Sequence, residues 1–430
     1  MKKRWLYLAV VVALCFPMRS RADENGKVIN IKSPLTLEQA TQVTLEQNPE
    51  LKAMAQDAAA AKTKDSKARY WDDPMIGVRF FQIPFEGGFD DSSDIDYIVR
   101  QKFPVGGKAK AAAQMAYHNY QHYLHTLNGR GRELLRDMKT AYTRLYATLK
   151  LVEIHRSTEA SLRAIVQSAQ FKLAAGKANA GDAMLGQSEI AKVLADRQML
   201  LAERQELEAR LKMLMAVPPE EKIELPANLS PPEWKVNPEK LQQAAEAKHP
   251  TLESDKHLIE EKEWGVQAAK KEYIPDINLQ AEYVQRPTNS VDAFTGEVMI
   301  NVPLLVRKKS LGVKEAEAQL ASARFQRQAT ANEVRNRVQE LYTRMSTQQR
   351  ILQINRQTQV TQARQAYQAA AQAYGADQGN FSNVLAAANM LLSAQSDYWK
   401  TFADHAASVF ALEEAVGLTR EEWTQWEEKP

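Results

Sequence analysis

Asp276–Gln285 reads DINLQAEYVQ. In an extended chain Ile277, Leu279, Ala281 and Tyr283 fall on one face, and Asn278, Gln280 and Glu282 on the other. FTGEVMINV, from Phe294, alternates too: Phe294, Gly296, Val298, Ile300 and Val302 oppose Thr295, Glu297 and Asn301. Earlier, Ile95, Tyr97, Val99 and Phe103 oppose Asp96, Arg100 and Lys102. MIGVRFFQI sets Ile76, Val78 and Phe80 against Gly77 and Arg79. Strands are therefore expected at about 74–83, 95–103, 276–285 and 294–302. Each is about as long as the 9–11 residues of a tilted membrane-spanning strand. Apolar-out, polar-in alternation is the pattern of a membrane β-barrel; a half-buried soluble hairpin is the competing reading.

The four segments form two pairs, and the landmarks around them recur. NPEL at 48–51 faces HPTL at 249–252, and Pro74 faces Pro275, each 201 positions on. Pro104 faces Pro303 after 199, and Tyr142-Thr143-Arg144 faces Tyr342-Thr343-Arg344 after 200. Gly176 in AAGK is paired with Gly375 in AYGA, again after 199. The order and spacing predict two copies of one unit of about 200 residues. The expected organisation is a signal peptide at 1–22, a first repeat at 23–218, a proline-rich connection at 219–236, a second repeat at 237–419 and a tail at 420–430.

Each unit is expected to open with one helix, at about 36–72 and 238–272. Thr36 with Gln39, and Asn237 before Pro238, supply the starts. After the strands come very long helical stretches, about 107–173 and 307–373, each about 100 Å at 1.5 Å per residue. Turns marked by Gly176 and Gly375 lead to closing helices at about 182–215 and 381–416. A leading and a closing helix laid end to end match one long helix, so a tall cylinder jointed at mid-height is expected. Small and polar residues spread around the helices, as in QVTQARQAYQAAAQAYG, suit close neighbours on two sides rather than a simple coiled coil.

MKKR followed by WLYLAVVVALCF, with Ser20 and Ala22 as small residues before Asp23, reads as a secretory signal. The single cysteine, Cys15, lies inside it. Cleavage after Ala22 leaves no thiol, which removes disulfides, thiol catalysis and cysteine metal sites. Lysine plus arginine number 56 and aspartate plus glutamate 53, so no bulk charge favours nucleic acid. GGKAK lacks the phosphate-loop spacing. No catalytic constellation follows from the spacings, no cofactor is expected, and the chain does not read as an enzyme. Four strands cannot close a barrel, because about eight are the practical minimum. Several chains must share one, and three chains would give twelve strands.

In this order, NPEL, Pro74, Pro104 with Gly106-Gly107-Lys108, AAGKANAGDAMLGQSE (Gly176, Asp182, Glu189) and AYGADQGNFSNVLAAANMLLSAQ resemble the TolC-like outer-membrane efflux proteins. The resemblance spans about 35–419. It implies a mainly α protein with four membrane strands, forming a homotrimer. A twelve-stranded barrel in outer-membrane lipid would continue as a periplasmic α-helical barrel. It also implies two partners, a periplasmic adaptor and an inner-membrane pump. DDPM with QKFPVGGK resembles the branch attached to heavy-metal resistance-nodulation-division pumps, so metal ions are the expected cargo. Drugs, other organic compounds or a secreted protein are the alternatives, and a periplasmic scaffold or adaptor is the alternative of another class.

The resemblance places a gate at the helix-hairpin turns. The candidates are Gly176, Lys177, Asn179 and Asp182 in the first hairpin, and Gly375, Asp377, Asn380 and Asn383 in the second. Where some family members carry second-hairpin acids, this chain has Asn383 and Ala386. Asp182 fits the first hairpin's acidic position and also suits a helix N-terminus. The second turn reads as about two residues longer than the first. Separately, His118, His122 and His125 share one helix face, as either a candidate metal site or an interfacial His-Tyr surface with Tyr117, Tyr120 and Tyr123.

Overall fold

The computed structural model describes residues 33–234, 236–286 and 291–427. The expected signal peptide, with Cys15, lies outside the described residues, as do positions 428–430 of the tail. The chain forms α1 (Leu37–Gln47), α2 (Pro49–Lys67), β1 (Met75–Phe81), β2 (Asp94–Phe103), α3 (Lys108–Ala174) and α4 (Ala180–Met215). It continues with α5 (Pro238–Lys248), α6 (Pro250–Lys271), β3 (Ile277–Gln285), β4 (Ala293–Ile300), α7 (Val306–Ile354), α8 (Val360–Gly375), α9 (Phe381–Val416) and α10 (Arg420–Glu427). Among the described residues no helix is long and apolar enough to cross a membrane.

The strands fall where the alternation put them, within two residues at each end. They form one antiparallel sheet in the order β1-β2-β3-β4, leaving β1 and β4 as edges. The register aligns like with like. Val78 lies opposite Tyr97, Tyr97 opposite Tyr283, and Tyr283 opposite Phe294 on the apolar face. That face is bare: Ile76 is 78% exposed, Phe294 75% and Val298 68%. The other face is tied by ion pairs and hydrogen bonds. Arg79 reaches Asp96 at 2.7 Å and Glu282 at 2.5 Å, and Arg100 donates to Gln280 at 2.7 and 2.9 Å. Trp71 packs edge-on to Phe103 with ring centres 4.9 Å apart, at the end of the sheet that leads into the helices.

Both leading helices are broken, against the expectation of one helix each. Asn48 and His249 take extended ψ (121° and 123°) before Pro49 and Pro250, because the proline ring clashes with a helical residue before it. Each then caps the next helix. Asn48 Oδ1 accepts from the Glu50 and Leu51 amides, and His249 Nδ1 from the Thr251 amide. Thr36 and Gln39, expected as a helix start, form a capping box.

The 67-residue α3 is unbroken and packs against α2, α4, α6 and α9. Asn48 Nδ2 donates to the Leu214 carbonyl at 3.1 Å, so the end of α4 meets the start of α2 beside α3. This is the expected end-to-end joint, although α1 turns aside at the break. Tyr142 donates to the Leu35 carbonyl (2.8 Å) and Tyr146 to that of Ala227 (3.0 Å). These bonds strap the non-helical segments to the middle of α3. A large core of the described residues lies at this level, with Leu241, Leu252, Val338, Leu412, Val416, Trp234 and Trp423. Trp423 belongs to α10, a helix where only a tail was expected. It is buried with its ring 6.1 Å from that of Trp234.

The second long stretch is not purely α-helical. A π segment, Asn355–Gln359, separates α7 from α8, and Asn355 is buried against Thr401. A π turn holds one residue more than an α turn. It lies between Tyr342, which is 200 positions after Tyr142, and the second hairpin turn, where the spacing is 201.

Candidate functional site: the helix-hairpin turns

The two hairpin turns are equal in length, contrary to the expectation that the second is longer. Five residues separate α3 from α4 and five separate α8 from α9. Both close alike. The Lys177 amide donates to the Lys172 carbonyl and the Gly176 amide to that of Leu173. Correspondingly, Gln378 donates to Ala373 and Asp377 to Tyr374. This closure puts one residue in the left-handed region. In the first turn it is Gly176 (φ +71°), and in the second it is Asp377 (φ +58°). Gly375 is instead the last residue of α8. Its pairing with Gly176 is corrected, since the left-handed role falls 201 positions after Gly176. Aspartate is among the few non-glycine residues that tolerate this conformation.

The same shift pairs Asn179 with Asn380 and Asp182 with Asn383. Asn179 caps α4, its side chain accepting from the Gly181 amide at 3.1 Å. Asn380 holds the same position but makes no side-chain cap. Asp182 is half-buried in the first turn of α4, while Asn383 is exposed.

The structure brings Lys177 and Asp377 together at 2.9 Å. Lys172, which the sequence reading missed, reaches the other Asp377 oxygen at 2.5 Å. It also donates to the Tyr374 carbonyl and sits 4.1 Å from the Tyr374 ring centre. Hydrogen bonds from Lys172 and then Lys177 hold the Asp377 carboxyl down at about 2. One carboxylate thus bridges the two hairpins. Beneath it Ile165, Val166, Ala169, Tyr374, Phe381 and Val384 form a small apolar core. Gly186 lets Phe381 in, for a Cβ there would lie 2.8 Å from Phe381 Cζ and 2.3 Å from Val166 Cγ2. Outside this core Met184 and Leu185 are 71% and 55% exposed, an apolar rim on the turn.

The histidines are divided. His122 is bound to Ser254 on α6, with Nδ1 2.8 Å from the hydroxyl. His118 and His125 instead flank His257, their rings roughly parallel to it with centres 5.6 and 5.3 Å away. His257, Glu253 and Glu260 were missed, although they stand at i, i−4 and i+3 on one face of α6.

Residues 241–418 match the family model for outer membrane efflux proteins. No curated protein sequence matches the chain. Among solved structures, the outer membrane protein VceC of Vibrio cholerae is 18% identical with a TM-score of 0.75, covering 89% of this chain and 96% of that one. The open state of the MtrE outer membrane channel of Neisseria gonorrhoeae is 12% identical with a TM-score of 0.77, covering 89% of each. CusC, described in connection with transmembrane channel formation, is 13% identical with a TM-score of 0.74, covering 89% and 92%. Proteins of this family are conduits that work with an adaptor and an inner-membrane pump, and carry out no bond chemistry. Residues 241–418 thus match the outer membrane efflux family, and the chain as a whole has the fold of these outer-membrane channel structures, long helices joined to a small β-sheet.

Proposed function

We propose that three copies of the chain build a passive, gated conduit for heavy-metal ions, fed by a periplasmic adaptor and a resistance-nodulation-division pump. The observation that supports the shared conduit is the two-faced open sheet. One face is bare and apolar, the other is cross-linked by Arg79 and Arg100, and β1 and β4 have unpaired outer edges within one chain. Open edges are not tolerated in lipid. Three four-stranded sheets joined edge to edge remove them. The Lys172–Asp377–Lys177 bridge is the proposed clasp of the periplasmic end, and the exposed Met184 and Leu185 are the proposed adaptor contact. The metal cargo rests on the resemblance carried by DDPM and QKFPVGGK.

The test is deletion of the gene, followed by growth and cell-associated metal across Cu, Ag, Zn, Co, Cd and Ni, with hydrophobic drugs alongside. Metal hypersensitivity with raised accumulation, restored by the intact gene, is expected. Drug sensitivity with unchanged metal handling would overturn the cargo and leave the conduit. Recovery of the protein as a soluble periplasmic species would overturn the conduit.

A further inference from the structure

We propose that the seam between α3 and α6 holds a divalent late-transition-metal ion on His118, His257 and Glu260. This goes beyond the conduit reading and stands whatever the cargo is. The three donor atoms already form a compact triangle. Glu260 Oε2 lies 2.9 Å from His118 Nδ1 and 2.9 Å from His257 Nδ1, and the two nitrogens are 3.4 Å apart. Ligands at about 2.0–2.1 Å from a tetrahedral ion stand about 3.3 Å from one another. The triangle is therefore close to one face of such a tetrahedron and needs only small side-chain shifts.

Two elements make the site. His257 and Glu260 are one turn apart on α6, and His118 faces them from α3. The side chains are 14% (His118), 18% (His257) and 33% (Glu260) exposed, sheltered but reachable, with room for a fourth ligand from solvent. His125 and Glu253 lie on the other side of His257, and their donor atoms and one of His257 fall within 4.8 Å of one another.

The donor set defines the ion. Two imidazoles and a carboxylate suit Zn²⁺, Co²⁺, Ni²⁺ or Cu²⁺. Soft monovalent ions favour sulfur ligands and Mg²⁺ favours oxygen, so neither class fits. His118 is ten residues into α3, about 15 Å from the end that meets the sheet. An ion there would pin α3 to α6 below the membrane strands.

Untagged full-length chain, purified in detergent, would be titrated with Zn²⁺ against a chromophoric chelator and with Co²⁺ by visible absorption. The expected result is one ion per chain with micromolar or tighter affinity. E260Q and H257N should each weaken binding at least about tenfold. H122N should leave binding unchanged, because His122 is held by Ser254. Zn²⁺ should raise the melting temperature of the native chain and not that of E260Q, with circular dichroism showing both folded. No Zn²⁺ binding up to millimolar concentration, or native affinity in E260Q, would overturn the site and show the triangle to be a hydrogen-bonded seam.

Discussion

At the scale of single residues, the break between α5 and α6 concentrates two unusual demands. His249 caps α6 through an unprotonated Nδ1. Burial, with Arg132 nearby, holds its pKa at about 4. The unfolded value is near 6.5, so folding favours the neutral ring. That contribution is complete above about pH 6.5 and is lost as pH falls toward 4. H249N keeps a capping atom, as Asn48 does in the first half, and should flatten the dependence. Melting temperature measured from pH 7.5 to 4.5 should fall several degrees less in H249N than in the native chain. Gly417 packs on the same break with φ +76°, and a Cβ would meet the Lys248 carbonyl at 2.8 Å. G417A should cost about 2–4 kcal/mol in denaturant unfolding, from the left-handed strain plus a backbone clash. Ala216 ends α4 in the same conformation (φ +54°). A216G should be neutral or stabilising by at most about 1 kcal/mol. NPEL and HPTL were legible as landmarks, but their prolines were read as lying inside one helix. The rule that proline disfavours a helical predecessor was the available signal.

At the scale of elements, the strands were the most legible part, because a period of two survives as long as one face meets apolar surroundings. Lysine placed at Val298, on the bare face of β4, should cost about 2–4 kcal/mol near the middle of a bilayer. Lysine at Thr295, on the opposite face, should be tolerated. Heat-resistance of the detergent-extracted oligomer separates the two variants, and equal loss in both would contradict the assignment of faces. The hairpin turns were half legible. Gly176 advertised its left-handed residue, whereas Asp377 did not, and Gly375 two residues earlier drew the assignment away. D377N keeps a residue that tolerates the left-handed turn while removing the charge that both lysines bind. It should leave the melting temperature nearly unchanged, since the group is exposed. It should speed tryptic cleavage at Lys177 and raise single-channel conductance. Because the Asp377 carboxyl titrates at about 2, the native clasp should hold down to about pH 4 and weaken only as pH falls further.

At the scale of the whole molecule, the proposed assembly follows from the need to close the sheet's open edges. Light scattering with detergent subtracted should give three times the mass of the mature chain, the 48.5 kDa chain less its expected signal peptide; a monomer would contradict the proposed shared barrel. The sequence by itself determined the sheet's two faces, the length of α3, the helix start at Thr36 and the order of strands and long helices. Each of these depends on neighbours within a few turns or on side-chain alternation along one strand. Only the tertiary structure decided what depends on partners far along the chain. It folded α10 down so that Trp423 meets Trp234, and it joined α4 to α2 at Leu214 and Asn48. It let Lys172 and Lys177 share one carboxylate 205 and 200 positions away, and set His118 against His257. Such contacts carry no local period. They arise where long helices cross, and the crossing point is fixed by packing rather than by spacing in the sequence.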